Sequence, residues 1–257
     1  MNGRFLGKPL PLVIAHRGFS ARFPENTMPA FEAAVAGGAD MIELDVTPSR
    51  DGHPVVIHDD TLERTTSGTG HVGEHTLAAL RRLDAGSWMD EAFRGTAIPV
   101  LSEVLDAFGD RVLINVEIKP EGVREEEPRR AFVRTVLDCI RGRGLLSSVI
   151  ISSGDYEVLR TVRIIDGEVM IAVLGSGPET NIDVAALLKA LGGCSYNPEQ
   201  AYVTAERVET LHCEGIAVFP WSFLIDNHEG TMQRMLMAGA DGFFANDPVL
   251  FRSLARR

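Results

Sequence analysis

The sequence predicts an α/β fold of the (β/α)8 TIM barrel class, and three observations point there. Short apolar runs starting at Leu12, Met41, Val112, Val149, Val169, Cys194, Ile216 and Gly242 are each followed by a segment whose apolar residues recur at helical spacing. The chain has 257 residues, the usual size of one such barrel. Two of the runs carry polar, ionisable side chains on one face and apolar ones on the other, as strands do when their inner ends build a site. An open, doubly wound sheet is the alternative that the same alternation allows.

Taken in order, the first strand, Leu12 to Ala15, runs into His16-Arg17-Gly18. Phe23-Pro24-Glu25-Asn26-Thr27 then leads to a helix that Thr27 or Asn26 can cap, with Phe31, Ala34 and Val35 as its apolar face. Gly37-Gly38 stops it, and the strand Met41 to Val46 follows, so these two strands lie parallel. Ile42, Leu44 and Val46 share one face of that strand, and Glu43 and Asp45 the other. Asp51-Gly52 marks a turn before Pro54-Val55-Val56-Ile57-His58-Asp59. The stretch of about 60–98 has no regular period and is too long for an ordinary loop, so it reads as an insertion after the second strand that covers part of the mouth.

The pattern resumes with a helix over Leu101, Val104, Leu105 and Phe108 and a strand, Leu113 to Lys119. Ile114, Val116 and Ile118 form the apolar face of that strand; Asn115, Glu117 and Lys119 form the polar one. Glu125 to Arg143 is a charged amphipathic helix. Strands then begin at Val149, Val169, Cys194, Ile216 and Gly242, with helices over Tyr156–Ile164, Val184–Leu191, Ala205–Cys213, Glu229–Met237 and Pro248–Leu254. No linker or low-complexity segment interrupts this, and 1–257 reads as a single domain with one insertion.

Composition narrows the function classes. A hydrophobic content of 45% with 24% charged residues is that of a soluble globular protein. No run reaches the roughly 18 apolar residues needed to span a bilayer. Leu10 to Ala15 is short, contains Pro11, and runs directly into the His-Arg-Gly, so it reads as a strand and not as a signal peptide. A cytoplasmic protein is the expectation. Cys139, Cys194 and Cys213 are odd in number with no C-x-x-C, which suits buried thiols and neither a disulfide framework nor a zinc site. A net charge of -11 argues against nucleic acid and anionic membranes as partners. A small anionic substrate still fits if the site is locally positive.

At the strand ends, His16, Arg17, Glu43, Asp45, Glu117 and Lys119 meet at one rim, and His58 follows the extension of the second strand. Each has a plain structural alternative: a core histidine, a turn residue, a solvated charge. Seven such groups at consecutive strand ends make a site the better account. Three carboxylates with no soft ligand suit a hard divalent cation. Trp221, where a loop follows the seventh strand, serves as an apolar wall of the pocket, while Arg22 and Asn115 are weaker candidates. His53, His71, His75, His212 and His228 have no such placement, although His71 and His75 could approach the mouth.

His16-Arg17-Gly18, Pro24-Glu25-Asn26-Thr27, Glu43-Leu44-Asp45, His58-Asp59, Leu62-Glu63-Arg64-Thr65-Thr66-Ser67-Gly68, the Gly86-Ser87-Trp88 region, Glu117-Ile118-Lys119, Gly239-Ala240-Asp241-Gly242 and Asn246-Asp247-Pro248 together resemble the signature of the glycerophosphodiester phosphodiesterases, bacterial cytosolic type. The resemblance implies a barrel with an insertion after its second strand and one divalent cation, Mg2+ or Ca2+, on Glu43, Asp45 and Glu117. It implies His16 and His58 as acid and base, with Arg17 and Lys119 on the phosphate. The chain departs from the family at Ser152-Ser153-Gly154, where Ser-Phe is common, and at Ser222-Phe223-Leu224 after the Trp, where Thr-Val-Asn is usual. Gly154 and Leu224 should make the leaving-group side roomier and less polar.

The expected activity is metal-dependent hydrolysis of soluble glycerophosphodiesters to glycerol 3-phosphate and an alcohol. No catalytic Ser or Cys stands out, so the substrate's own neighbouring hydroxyl is the expected nucleophile, through a cyclic phosphate. A lysophospholipase D-type phosphodiesterase is one alternative, disfavoured by the lack of a basic amphipathic anchor. A metal-dependent barrel isomerase or aldolase is another, and it lacks a Schiff-base lysine, since Lys119 beside a metal stays protonated. A non-catalytic binding protein would be expected to have lost one of these ionisable groups.

Overall fold

A computed structural model describes residues 3–177, 183–222 and 228–256. The chain opens with a two-stranded antiparallel hairpin, β1 (Arg4–Phe5) and β2 (Lys8–Pro9). The alternation then runs β3 (Leu12–Ala15), α1 (Met28–Ala36), β4 (Met41–Pro48) and β5 (Pro54–Val56). After α2 (Leu77–Leu80) come α3 (Leu101–Phe108), β6 (Leu113–Ile118), α4 (Glu126–Arg141), β7 (Val149–Ser153), α5 (Tyr156–Ile165) and β8 (Met170–Gly175). The chain finishes with α6 (Val184–Leu191), β9 (Ser195–Pro198), α7 (Ala205–Cys213), β10 (Ala217–Val218), α8 (His228–Met237), β11 (Gly242–Ala245) and α9 (Pro248–Ala255).

Eight strands pair in parallel in the order β10-β9-β8-β7-β6-β4-β3-β11. The two ends of that row meet: the Asp241 N–H donates to the Val218 carbonyl at 2.9 Å, and the Phe244 N–H to the Pro220 carbonyl at 3.0 Å. The predicted barrel is therefore present, and the eight predicted strand starts fall at or within one residue of the observed ones.

The register explains why the acidic residues point inwards. Ile42, Leu44 and Val46 of β4 and Ile114, Val116 and Ile118 of β6 are buried beneath the helices with Phe31, Leu101, Phe108, Phe132 and Val136. Alternation then turns Met41, Glu43 and Asp45 to the barrel axis. Inside, Leu12, Ile14, Met41, Leu113 and Ile150 fill the N-terminal half, and Phe5 of the hairpin joins them, edge-on to Phe219 at 5.0 Å between ring centres. The apolar filling thus occupies the lower barrel and leaves the polar groups to the C-terminal mouth.

The stretch after β5 attaches to the barrel through β5, which pairs antiparallel with the end of β4, Val46 opposite Val56. It is organised around its own apolar cluster of Val55, Ile57, Leu62, Val72, Leu80, Ala85 and Ile98. Asp84 ties its loops by accepting from the amides of Gly86, Ser87 and Gly95, each at 2.8 Å. Among the described residues no helix is long and apolar enough to cross a membrane. The three cysteines are free; Cys139 and Cys194 are half-buried, but Cys213 is exposed, contrary to the expectation of a buried thiol. It lies two residues past Leu211, off the buried face of α7 that Val208 and Leu211 define.

Candidate active site

A cavity of about 390 Å³ opens at the C-terminal ends of the strands. His16, Arg17, Glu43, His58, Glu117, Lys119 and Trp221 all line it, together with Asn115, Ser152, Gly154, Leu174, Ser176, Asn197 and Phe244. Asp45 is the one expected site residue that stands behind this wall, 1% exposed. The weaker candidate Asn115 is part of the lining, its amide donating to the Ser152 hydroxyl at 2.8 Å. Arg22 is not: it is exposed, 3.5 Å from Asp247. His71 and His75 stay away as well, His71 3.4 Å from Asp60 and His75 bonded to the Thr69 carbonyl. His212 sits at the opposite end, 2.7 Å from Asp241, which also accepts the Val218 N–H.

Parallel pairing sets Asp45 beside Glu117 and Glu43 beside Asn115. Each of Glu43, Asp45 and Glu117 can offer one carboxylate oxygen such that all lie within 4.8 Å of one another. Burial, then the charges of Asp45 and Glu117, raise the Glu43 carboxyl well above the usual glutamate range. Burial and Asp45 raise Glu117 too. Asp45 goes the other way: although burial opposes it, Arg17, His58, Lys119 and the Asn26 amide hold it below the usual range. Two clustered acids whose charged forms are disfavoured, beside a third that is held ionised, make a set that favours added positive charge. All-oxygen donors of this kind fit a hard divalent cation.

Two cations already border the cluster. Lys119 Nζ is 2.8 Å from Glu117 and 3.7 Å from Asp45, and those carboxylates outweigh its desolvation and raise its pKa. Arg17 Nε lies 3.4 Å from Asp45, and its NH1 is 2.9 Å from Glu25. The Arg17 amide N–H donates to Glu43 at 2.8 Å. That bond needs the left-handed backbone that Arg17 adopts, φ 56°, and Asn26 does the same at φ 57° to place its amide 2.8 Å from Asp45. Such conformations cost a non-glycine residue on the order of 1–3 kcal/mol, and here both serve the acidic cluster. Gly18 has no substitute: at φ 82° its missing Cβ would stand 2.7 Å from the Ala30 backbone. Thr27 is the N-terminal cap residue of α1 by position, yet its hydroxyl donates to the Pro24 carbonyl and caps nothing.

Each cavity histidine is held through Nδ1. His16 Nδ1 is 2.8 Å from the Asn246 side-chain oxygen, and His58 Nδ1 is 2.6 Å from Asp59. With the proton on Nδ1 in both, Nε2 is the nitrogen left to exchange a proton. His58 Nε2 is 3.4 Å from Lys119 Nζ. Burial, assisted by the Arg17 charge, pushes His16 down to about 3, so it is neutral at pH 7. Among the described residues that line the cavity there is no cysteine, and neither of its serines, Ser152 and Ser176, is paired with a histidine.

The apolar part of the lining is Leu174, Phe244 and Trp221, whose indole N–H is shared between the carbonyls of Gly175 and Asn197 at 3.2 Å each. A Cβ at Gly154 would find only Leu174, at 3.9 Å, so that corner is open. Leu224, expected to line the same side, lies outside the described residues. The polar groups that hold the site from behind, Glu25, Asn26, Asp59, Arg64 and Asn246, fall within the sequence motifs, but nothing in their local pattern assigns them these partners.

The glycerophosphoryl diester phosphodiesterase family model matches residues 16–250. A glycerophosphodiester phosphodiesterase of Caldanaerobacter subterraneus subsp. tengcongensis is 38% identical over 253 residues, covering 96% of this chain and 98% of the relative. One from Bacillus subtilis strain 168 is 32% identical over 268 residues, covering 99% and 89%. The structure of an Oleispira antarctica phosphodiesterase in complex with the product sn-glycerol-3-phosphate matches with a TM-score of 0.84 at 29% identity, covering 96% of this chain and 98% of that one.

Proposed function

This chain belongs to the glycerophosphoryl diester phosphodiesterase family and is an enzyme of that class; on that premise we propose that it hydrolyses soluble glycerophosphodiesters to glycerol 3-phosphate and an alcohol. The observation that carries the reading is the joint lining of one cavity by two histidines, two cations and two of the three clustered carboxylates, Glu43 and Glu117, with Asp45 directly behind them. Glu43, Asp45 and Glu117 would hold one divalent cation, Mg2+ or Ca2+, which when bound supplies positive charge against the phosphoryl oxygens.

The chain's own residues do the rest. Arg17 and Lys119 hold the phosphate. One histidine of the His16 and His58 pair takes the proton from the substrate hydroxyl on the carbon next to the ester. That oxygen bonds to phosphorus as the bond to the departing alcohol breaks, and the other histidine protonates the alcohol. Water then opens the resulting cyclic glycerol phosphate with the two roles reversed. Intramolecular attack of this kind is worth effective molarities on the order of 10⁵ M or more, which accounts for a site with no serine or cysteine nucleophile.

The open corner at Gly154 and the apolar wall support acceptance of bulky headgroups with little discrimination. Free cysteines agree with a cytoplasmic setting, and the substrate is a small molecule. The test is to identify products from glycerophosphocholine, glycerophosphoethanolamine, glycerophosphoinositol and a lysophospholipid, with Mg2+ or Ca2+ and then with excess EDTA. Glycerol 3-phosphate from the soluble diesters, abolished by EDTA and restored by the cation, is expected. Turnover of the lysolipid alone, or full turnover in EDTA, contradicts the reading.

A further inference from the structure

We propose that Arg64, which does not line the cavity, is a positioning residue for this reaction: one guanidinium sets both the phosphate arginine and a proton-transferring histidine. The inference rests on the function proposed above and adds a residue to it. Arg64 makes two forked pairs. NH1 and NH2 meet the two oxygens of Glu25 at 2.9 and 2.8 Å, while Nε and NH2 meet those of Asp59 at 2.5 and 3.0 Å. The oxygens shared by NH2 are the telling ones. Glu25 Oε1 also receives Arg17 NH1, and Asp59 Oδ1 also holds His58 Nδ1. A single nitrogen therefore bridges the two carboxylate oxygens that orient Arg17 and His58.

Chemistry favours a positioning role over a plain surface ion pair. Exposed pairs contribute little because two long side chains must be fixed for a screened attraction. Here Glu25 and Asp59 are mostly buried, at 13% and 25% side-chain exposure, and each is already committed to a cavity residue. The planar fork of arginine fits two carboxylates at once, whereas an ammonium meets them as a point charge. Arg64 comes from the stretch after β5 and Glu25 from the loop before α1, so the clamp also joins that stretch to the mouth.

The experiment measures KM and kcat for glycerophosphodiester hydrolysis by wild type, R64K, R64Q, E25Q/D59N and the triple variant E25Q/D59N/R64Q, with a melting curve for each. R64Q should lower kcat/KM about 10- to 100-fold, the scale of a misplaced catalytic group. KM should rise with it, because Arg17 loses its setting; a merely unstable variant would lower the apparent kcat and leave KM alone. R64K should recover only part of the loss. Adding R64Q to E25Q/D59N should cost less than about threefold, since the groups Arg64 acts through are gone. If R64Q does not melt cooperatively, R64K takes its place in the same cycle. The proposal is overturned if R64Q, or R64K in its place, retains wild-type KM and kcat. An equal loss in both backgrounds or a fully active R64K also overturns it. A wild type that releases no glycerol 3-phosphate overturns instead the function on which it rests.

Discussion

Replacing Glu43 by Gln is expected to stabilise the cation-free protein while abolishing its activity. Glu43 is 2% exposed, and its carboxylate oxygen lies within 4.8 Å of those offered by Asp45 and Glu117. At that distance and an effective dielectric constant of about 20, each like-charged pair costs roughly 3 kcal/mol. Glu43 faces two such neighbours, with its own desolvation added, and Arg17 offsets part of the sum. The net relief on neutralising it is on the order of 1–3 kcal/mol. The sign with pH follows from the raised carboxyl, whose causes are burial and then Asp45 and Glu117. A native-state value above the unfolded one means that protonation favours folding. Wild-type stability therefore falls as pH rises from the unfolded value of about 4.3 towards the raised native value, and Gln removes that slope.

Gln keeps the volume and leaves an oxygen to accept the Arg17 N–H, so packing does not confound the comparison. For a chain of this size about 1 kcal/mol moves the midpoint by roughly 2–4 °C, so E43Q should melt some 2–12 °C above wild type at pH 7 in EDTA. Cation at about 100 times its Kd should add about 2.7 kcal/mol to wild type and far less to E43Q. Calorimetric melts in EDTA and across a Ca2+ or Mg2+ titration read both effects. An E43Q that melts below wild type in EDTA, or equal stabilisation of both proteins by the cation, refutes the reasoning.

Ala at His16 or at His58 should each cost roughly 10² to 10⁴ in kcat, as loss of an acid or base does; steady-state kinetics showing either variant near wild-type rate removes that residue from proton transfer. Lys119→Ala should mainly raise KM, since its proposed partner is a phosphate oxygen in ground and transition states alike. Unchanged KM with a collapsed kcat would give Lys119 a different role. Gly154→Phe should fill the open corner and lower kcat/KM for an inositol headgroup relative to ethanolamine. If the ratio does not move, that corner does not receive the leaving group.

Much of this architecture was legible because barrel strands and helices leave different periods in the chain. The two-residue alternation of Glu43, Leu44 and Asp45, and again of Val116, Glu117 and Ile118, separates the polar groups facing the axis from the apolar ones under the helices. The N-terminal hairpin left no such mark, for strands of two residues have no period to read. The partners of the site residues were hidden for a related reason. Arg64 meets Glu25 across 39 positions, and His16 meets Asn246 across 230. Such contacts depend on how irregular loops and barrel closure bring distant segments together. Asp45 is expected at the mouth because alternation gives a direction, and it lies level with Glu117 and beyond Glu43 on its strand, but cover by Asn26 and Arg17 puts it behind the wall.

The central claim is that the protein supplies positioned protons and charge while the substrate supplies the nucleophile. A glycerophosphodiester whose hydroxyl next to the phosphate ester is replaced by hydrogen tests this directly, measured beside the parent at saturating cation. The deoxy analogue should bind comparably, because in the proposed reading Arg17 and Lys119 meet the phosphate and not that hydroxyl, yet be hydrolysed at least about 10²-fold more slowly. Hydrolysis of the analogue as fast as the parent would contradict the account, because water would then attack phosphorus directly.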